Sequence, residues 1–204
     1  MTSVVNRCSN CGLTHQCICT KVPKLDNPVQ IALLTHENEL SRETNTGHWA
    51  HKMLPHCEVH VWQRKVQPER LIEQIKSGDY RPLVVFPGED SQLLEQKDHH
   101  DLNTLKAVPP LYIVIDATWQ EAKKMLNKST WLQALPKVEL ATNQASGYHL
   151  RRNQSAGNLC TLEVVAELLR VEGDGNSAEQ IAPFLDFYMA SYQADKSGHA
   201  LKAK

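Results

Sequence analysis

The chain has 204 residues, 41% of them hydrophobic and 22% charged, which is typical of a globular α/β domain with a small appendage. No run of about eighteen apolar residues is present, so no membrane-spanning helix is predicted. The N-terminal segment lacks the apolar stretch of a secretory signal, which makes the cytoplasm the expected location. The formal net charge of −1 does not indicate a nucleic-acid binder, so an RNA partner would have to contact a local basic surface.

The N-terminal segment contains four closely spaced cysteines, with the spacing C-x2-C-x5-C-x-C. In a reducing cytosol, clustered cysteines are more typical of metal sites than of disulfides. Four thiolates complete the tetrahedral shell of zinc and leave no open position, so we predict a structural zinc site. An iron–sulfur cluster is the alternative, although nothing else in the sequence indicates redox chemistry. The predicted ligands are Cys8, Cys11, Cys17 and Cys19.

Two prolines in the following linker, Lys21–Pro28, mark a boundary between this segment and the rest of the chain. We expect residues 1–25 to form the zinc-binding segment and residues 26–204 to form the main domain. Short apolar runs predict strands at Val29–Leu34, Glu58–Trp62, Leu83–Phe86, Leu111–Ile115 and Val138–Leu140. Helices are predicted at the end of residues 38–53 and at Pro68–Ser77, Trp119–Asn127, Asn158–Val171 and Ala178–Gln193, before a loose tail from Ala194 to Lys204.

Short buried strands that alternate with helices predict an α/β fold with a mainly parallel sheet. Ligands of such sheets usually bind in loops beyond the carboxyl ends of the strands. The loops that follow Phe86, Ile115 and Leu140 are therefore the candidate ligand-binding loops.

The predicted strand Leu111–Ile115 runs directly into a carboxylate, Asp116, and then into a helix. Thr118 and Glu121 have the spacing of a capping box, which explains both residues without any ligand. Asp116 and Trp119 are not explained in this way. Trp119 is interpreted either as a core side chain or as part of a site, whereas an acid at the end of a strand is a frequent position for a functional group.

The segment Asp116-Ala117-Thr118-Trp119 resembles the D-x-T-W signature of the DTW-domain family. The resemblance extends from Cys8 to Leu169, and its other elements follow in the family's order. They are the four-cysteine cluster, Thr44-Asn45-Thr46-Gly47, Phe86-Pro87, Ala122-Lys123-Lys124-Met125, Tyr148-His149-Leu150-Arg151-Arg152 and Cys160-Thr161-Leu162-Glu163-Val164.

The resemblance is to the bacterial tRNA-uridine aminocarboxypropyltransferases, and it implies an enzyme with this activity. Such enzymes transfer the 3-amino-3-carboxypropyl group of S-adenosylmethionine to N3 of a uridine in tRNA, which forms acp3U, and they release methylthioadenosine. The resemblance also implies a SPOUT-like α/β fold with a C-terminal knot, and a monomer. The expected partners are tRNA and S-adenosylmethionine, with zinc in a structural role.

Within this interpretation, Asp116 is the candidate catalytic residue, either as the general base that takes the N3 proton or as a group that holds the cofactor. The residues expected to bind the cofactor are Phe86, Pro87, Gly88, Asp116, Thr118, Trp119, Tyr148, Leu150, Arg151 and Thr161. The residues expected to contact RNA are Arg42, Asn45, Thr46, Lys123, Lys124, Arg151 and Arg152.

Two alternative functions stay open on the residues alone. An RNA methyltransferase that uses S-adenosylmethionine would have the same fold and would differ in which carbon it presents to the nucleophile. A non-catalytic zinc-bearing module that binds RNA would leave Asp116 and the paired loop motifs without a clear purpose.

Overall fold

The computed structural model describes residues 7–95, 108–141, 146–150 and 158–202. The strands of the described residues are β1 (Gln30–His36), β2 (Cys57–Trp62), β3 (Arg81–Val85), β4 (Ser91–Leu94), β5 (Pro110–Asp116) and β6 (Lys137–Leu140). They form one sheet in the order β2-β1-β5-β3-β6-β4. Every neighbouring pair is parallel, which confirms the predicted α/β class and parallel sheet.

The helices of the described residues are α1 (Gly47–Met53), α2 (Glu69–Lys76), α3 (Trp119–Lys128), α4 (Thr130–Gln133), α5 (Thr161–Val171) and α6 (Gly175–Lys196). Short 3-10 turns occur at Cys19–Lys21 and Glu37–Ser41. Among these helices, none combines the length and the apolar character that are needed to cross a bilayer.

Side chains of the central strands enter two separate cores, because successive residues of a strand point to opposite faces of the sheet. Leu33 and Val114 pack on one face in a cluster that includes Trp49 of α1 and residues of α5 and α6. Leu34 and Ile113 pack on the other face, against residues of α2, α3 and α4. Helices therefore cover both faces, which explains why the strands are apolar along their whole length.

Besides small shifts at the ends of other elements, the structure differs from the sequence prediction at β4 and at the start of α5. The sequence does not predict β4, because Ser-Gln-Leu-Leu is short and lacks the β-branched and aromatic residues typical of strands. Helix α5 begins at Thr161 and not at Asn158, because the side chain of Glu163 accepts a hydrogen bond from the backbone N–H of Cys160. This contact fixes Cys160 as the residue that caps the helix.

The prediction of a loose tail from Ala194 is wrong for its first residues, since α6 continues to Lys196. Ala194 is buried. A carboxylate oxygen of Asp195 accepts hydrogen bonds from the backbone N–H groups of Thr14 and His15. Contacts with the N-terminal segment thus stabilise the end of the helix. Local sequence patterns do not predict contacts between residues so far apart in the chain.

The N-terminal segment shares the core of the main domain, because Leu13 and Ile18 are buried in the cluster that contains Trp49. The boundary at residue 25 stays a prediction. Residues 142–145 and 151–157, between β6 and α5, lie outside the described residues, and nothing in the described residues tests the predicted C-terminal knot. The knot and the SPOUT classification therefore stay predictions as well.

Candidate active site

Asp116 is the last residue of β5 and lies at the carboxyl edge of the sheet, beside Thr35 of β1. It is buried, with 3% of the residue exposed. Its Oδ1 atom accepts a hydrogen bond from the Thr161 hydroxyl at 2.7 Å. Its Oδ2 atom accepts hydrogen bonds from the Asn45 amide at 2.7 Å and from the Thr35 hydroxyl at 3.1 Å. Three uncharged side chains therefore join β1, α5 and the loop before α1 at one carboxylate.

Gly47, the first residue of α1, packs directly against the same carboxylate. A Cβ atom added to Gly47 would lie 2.6 Å from Oδ2 of Asp116 and 2.9 Å from Oδ1. Such distances are well inside van der Waals contact, so a side chain at this position would displace the carboxylate. The absence of a side chain at Gly47 is what permits the close approach.

Burial raises the pKa of Asp116 above its ordinary value of 3.8, because desolvation disfavours the charged form. The Glu39 carboxylate raises this pKa further, whereas the hydrogen bonds from Asn45, Thr161 and Thr35 oppose the shift. A carboxyl group whose pKa moves toward neutrality is a frequent component of acid–base sites.

Glu121 is the second carboxylate of the segment, and it lies in an ionic network. It accepts hydrogen bonds from the backbone N–H of Thr118 at 3.1 Å and from its hydroxyl at 2.7 Å, within the predicted capping box, which is confirmed. The Arg42 guanidinium donates to both oxygens of Glu121, at 2.7 and 2.8 Å, and also pairs with the buried Glu39. Arg42 holds the pKa of Glu121 well below its ordinary value.

The predicted cofactor residues of two loops lie next to each other, because β3 and β5 are neighbouring strands. The rings of Phe86 and Trp119 have centroids 5.8 Å apart, and both residues are half-buried. Pro87 and Gly88 follow Phe86 and are exposed. An aromatic pair and an exposed turn thus border the carboxyl edge near Asp116.

The third loop contains the predicted residues Tyr148 and Leu150. Tyr148 is buried, and its hydroxyl donates a hydrogen bond to the backbone oxygen of Thr44 at 2.7 Å. Leu150 is half-buried against the core cluster of α5 and α6. Arg151 and Arg152 lie outside the described residues, so their predicted roles stay predictions.

Glu163 holds the described parts of this loop against the start of α5. One oxygen accepts hydrogen bonds from the Ser146 hydroxyl and the Cys160 N–H, both at 2.7 Å. The other accepts from the Gly147 N–H at 2.7 Å. Glu163, whose side chain accepts from the capping residue Cys160, therefore also positions the chain next to Tyr148.

Of the described residues expected to contact RNA, Arg42 is bound by Glu39 and Glu121, and the other four form two groups. Asn45 and Thr46 are 7% and 3% exposed, and they contact Asp116 and the backbone at the start of α5. Lys123 and Lys124 are exposed on α3. Burial of Asn45 and Thr46 favours a role in holding Asp116, whereas the two lysines are accessible to phosphates.

Sequence reasoning gives no role to Thr35, Gly47 or Glu39, although all three lie at this site. Thr35 carries a weak signal, since it is a polar residue in an otherwise apolar strand. Gly47 belongs to a motif of the family resemblance, but its contact with Asp116 depends on how α1 meets β5. Glu39 carries only a weak local signal, since Arg42 follows it with the i, i+3 spacing of an ion pair, and its burial near Asp116 depends on the fold.

The four N-terminal cysteines form a second candidate site. The Sγ atoms of Cys8, Cys11, Cys17 and Cys19 all lie within 4.8 Å of one another. The Sγ atom of Cys8 lies 3.8 Å from that of Cys19 and 3.7 Å from that of Cys17. Tetrahedral zinc with bonds of about 2.3 Å separates its sulfur ligands by about 3.8 Å, so the donor set fits zinc. The Asn10 amide donates to the Cys19 sulfur at 3.3 Å, as outer groups of metal–thiolate sites do.

Arg7 connects this cysteine segment to the loop before α1. Its guanidinium donates to the backbone oxygen of Gly12 at 2.7 Å and to Glu43 at 2.6 Å. Gly12 has a φ of +72°, a left-handed conformation that glycine adopts without strain. Glu43 also pairs with Lys196 of α6 at 2.5 Å. One carboxylate thus joins the cysteine segment, α6 and the loop before α1.

A cavity of about 250 Å³ lies between the cysteine segment and the loop before α1, and Arg7, Asn45 and His48 are among its lining residues. The loops after β3 and β5 do not contribute to it. Its volume is also below the roughly 300–1,000 Å³ of typical ligand pockets. We therefore assign the candidate active site to Asp116 and not to this cavity.

Comparison with known proteins assigns these motifs to one family. The family model described as DTW domain matches residues 5–193. The chain belongs to the DTW domain family. In this DTW domain, the structure brings three of the quoted motifs together at Asp116, which itself opens the D-x-T-W signature. The Thr44–Gly47 motif contributes Asn45 and Gly47. The Cys160–Val164 motif contributes Thr161.

Three curated relatives of this DTW domain are each named tRNA-uridine aminocarboxypropyltransferase 2. The Drosophila melanogaster relative is 30% identical over 173 residues, which is 81% of this chain and 66% of the relative. The Mus musculus relative is 27% identical over 181 residues, and the Macaca fascicularis relative is 26% identical over 183 residues. Each of these two matches covers 85% of this chain and 58% of the relative.

The chain therefore spans between 58% and 66% of the length of these relatives. All three are animal proteins, whereas the sequence resemblance was to bacterial enzymes. No solved structure matches the chain.

Proposed function

We propose that this protein transfers the 3-amino-3-carboxypropyl group of S-adenosylmethionine to N3 of a uridine in tRNA, which forms acp3U and releases methylthioadenosine. The names of the relatives support this activity. The observation that carries the proposal is the meeting of three family motifs at the buried Asp116 carboxylate. A carboxylate held so closely at the carboxyl edge of a parallel sheet is well placed for chemistry on a bound ligand.

S-adenosylmethionine supplies the electrophilic γ-carbon of its methionine chain. The uridine N3 forms a bond to this carbon as the carbon–sulfur bond breaks, and the electron pair leaves with the sulfur of methylthioadenosine. The N3 proton must pass to a base. The protein therefore has to hold N3 in line with the carbon–sulfur bond and to accept one proton.

Asp116 is suited to accept this proton at Oδ1. A carboxylate has roughly four acceptor positions, two on each oxygen. Within the described residues, Oδ2 accepts two hydrogen bonds and Oδ1 accepts one, so Oδ1 keeps a free position. The raised pKa also makes Asp116 a stronger base than an exposed aspartate. Asp116 is buried, with only 3% of the residue exposed. The uridine must therefore be unstacked from the RNA so that its N3 edge can approach the carboxylate.

The same free position of Oδ1 would serve the rival role, in which Asp116 holds S-adenosylmethionine. We assign the cofactor to the loops after β3 and β5 and to the segment around Tyr148, where the Phe86–Trp119 pair offers an apolar wall. The partners of the reaction are tRNA and S-adenosylmethionine. A monomeric state and a cytoplasmic location stay predictions.

The test is incubation with unmodified tRNA and S-adenosylmethionine, followed by mass spectrometry of the nucleosides. An acp3U adduct with methylthioadenosine is expected. A methyl adduct with S-adenosylhomocysteine, or binding without any adduct, would overturn the proposal. Asp116→Asn is expected to lower the rate about 10²- to 10⁴-fold if Asp116 is the base. Asp186→Asn is the matched control, since Asp186 is exposed on α6.

The same proposal includes structural zinc at Cys8, Cys11, Cys17 and Cys19, which the sulfur–sulfur distances support. Elemental analysis of the purified protein is expected to find one zinc ion per chain. Cys8→Ser/Cys11→Ser should abolish this zinc, whereas Cys57→Ala should retain it, because Cys57 is a buried core thiol. Iron in place of zinc would support the iron–sulfur alternative.

A further inference from the structure

The cations of the described residues divide into paired and unpaired groups. The paired cations contact carboxylates, as in Arg7–Glu43, Arg42–Glu121, Arg70–Glu58, Lys137–Asp90, Arg170–Glu167 and Lys196–Glu43. Among the cations that form no ion pair within the same described ranges are Arg64, Lys65, Lys123, Lys124 and Lys128, which are all exposed. No carboxylate of the described residues pairs with these five side chains, so their charges are candidates for contact with an anionic partner.

A side-chain contact brings the unpaired cations of two segments together. The indole N–H of Trp62, at the end of β2, donates a hydrogen bond to the Ser129 hydroxyl at 2.8 Å, between α3 and α4. Arg64 and Lys65 follow Trp62 within three residues, and Lys128 directly precedes Ser129. Successive Cα atoms are about 3.8 Å apart, so the two sets of cations start from neighbouring backbone.

Two further lysines extend this region along α3. Lys124 lies four residues before Lys128, and residues with this spacing share one face of a helix. Lys123 is its exposed neighbour. We call the five residues Arg64, Lys65, Lys123, Lys124 and Lys128 the basic surface.

The two segments that carry the basic surface contain almost no acidic residues that could neutralise it. Residues 59–68 contain no acidic residue, and residues 119–136 contain one, Glu121. Glu121 is already bound by Arg42 and Thr118. The two segments therefore present five positive charges against one negative charge that is occupied elsewhere, although the whole chain has a net charge of −1.

The basic surface adjoins the edge of the sheet that carries Asp116. Trp62 of β2 pairs in register with His36 of β1. Thr35, the residue before His36, pairs with Asp116 of β5. The end of β2 is thus two strands away from Asp116, a distance of roughly 10 Å at about 4.8 Å per strand. An RNA strand that presents a base to Asp116 would carry its neighbouring phosphates within reach of these side chains.

We propose that the basic surface binds the phosphate backbone of tRNA beside the uridine that enters the Asp116 site. This inference rests on the proposed function for the identity of the RNA, and it extends the expected contacts from the lysines of α3 to Arg64 and Lys65. Lysine and arginine contacts to phosphates provide affinity without base specificity and release counterions on binding.

The experiment measures the anisotropy of labelled, unmodified tRNA with the full chain, without S-adenosylmethionine, between about 50 and 200 mM salt. The variant is Arg64→Gln/Lys65→Gln. The matched control is Lys76→Gln/Arg81→Gln, which removes the same two charge types from exposed residues at the opposite edge of the sheet. Loss of two phosphate contacts should reduce the slope of log affinity against log salt by roughly 1.4–1.8. We expect the control to keep the slope of the unmodified protein.

Addition of Lys128→Gln should reduce the slope by a further 0.7–0.9, roughly one contact. An unchanged slope for Arg64→Gln/Lys65→Gln, or an equal loss in the control, would overturn the inference. Failure of the unmodified protein to bind tRNA while it binds anionic vesicles would overturn it too. Binding that depends on Arg64 and Lys65, without acp3U formation, would instead overturn the proposed function and leave the basic surface standing.

Discussion

Asp116 and Glu121 are two carboxylates of one strand-to-helix segment, yet their surroundings have opposite effects on them. Asp116 is bound by the hydroxyl and amide donors of Thr35, Thr161 and Asn45, and burial raises its pKa. Glu121 is bound by the Arg42 guanidinium, which lowers its pKa. The difference comes from the deeper burial of Asp116 and from the partners, because uncharged donors do not offset the loss of hydration as a cation does.

This contrast separates two functions of acidic residues in the segment. Glu121 stays ionised, caps α3 through Thr118 and fixes Arg42. Asp116 has a raised pKa in a site that family motifs surround. Glu121 thus stabilises the fold, whereas Asp116 is the proposed catalytic group, and substitutions of the two residues should have different consequences.

The largest effect is expected from Arg42→Met. The side chain of Glu39 is fully buried, and the substitution removes the guanidinium that pairs with this carboxylate. We expect the free energy of unfolding to fall by about 3 kcal/mol, measured by urea denaturation. The control Arg70→Met removes an exposed pair with Glu58 and should cost less than about 1 kcal/mol. Equal losses in the two variants would contradict the ionic role of Arg42.

Gly47→Ala should have the next largest effect, because its Cβ would meet the Asp116 carboxylate at 2.6 Å. We expect a loss of about 2 kcal/mol in the free energy of unfolding, as for other overpacked sites. Gly175→Ala is the matched control, since a Cβ at Gly175 meets no atom within 4 Å. Unchanged stability of Gly47→Ala would show that there is room for a Cβ atom between Gly47 and the Asp116 carboxylate.

Thr161→Val tests a single donor of the Asp116 site. The substitution keeps the shape of the side chain and removes the hydrogen bond to Oδ1. A loss of about 1 kcal/mol in the free energy of unfolding is expected. Thr130→Val, at an exposed position of α4, should be close to neutral. If both variants unfold alike, the Thr161 contact does not stabilise the native carboxylate.

The smallest effects should appear in the pH dependence of stability, measured by urea denaturation between about pH 3 and pH 7. The pKa of Asp116 is raised in the folded state, so ionisation costs stability as pH rises above 3.8. The pKa of Glu121 is lowered, so its contribution is present above 4.5 and is lost as pH falls. Relative to the unmodified protein, Asp116→Asn should therefore gain stability with rising pH.

Glu121→Gln should show the opposite trend and lose relative stability as pH rises. Each variant serves as the other's control, because both replace a carboxylate by its amide in the same segment. The same pH trend in both variants would contradict opposite pKa shifts of the two carboxylates.

Local sequence patterns were sufficient for the elements of the site but not for its contacts. The apolar run Leu111–Ile115 predicts β5, and the Thr118–Glu121 spacing predicts the capping box, because both depend on nearby residues. The role of Gly47 was not predictable, since it depends on a carboxylate far along the chain. The sequence predicts an RNA contact for Asn45, whereas the structure places its side chain in a buried hydrogen bond with Asp116. This contact, too, joins residues that are far apart in the chain.

The sequence by itself determined the alternation of strands and helices, the four-cysteine cluster and the position of Asp116 at a strand end. These features follow from short-range periodicity, ligand spacing and capping, which act over a few residues. The tertiary structure alone decided which partners each carboxylate receives, because Thr35, Asn45 and Thr161 come from distant segments. The pKa of Asp116 is therefore raised by the fold, although the same residue in the unfolded chain is an ordinary aspartate.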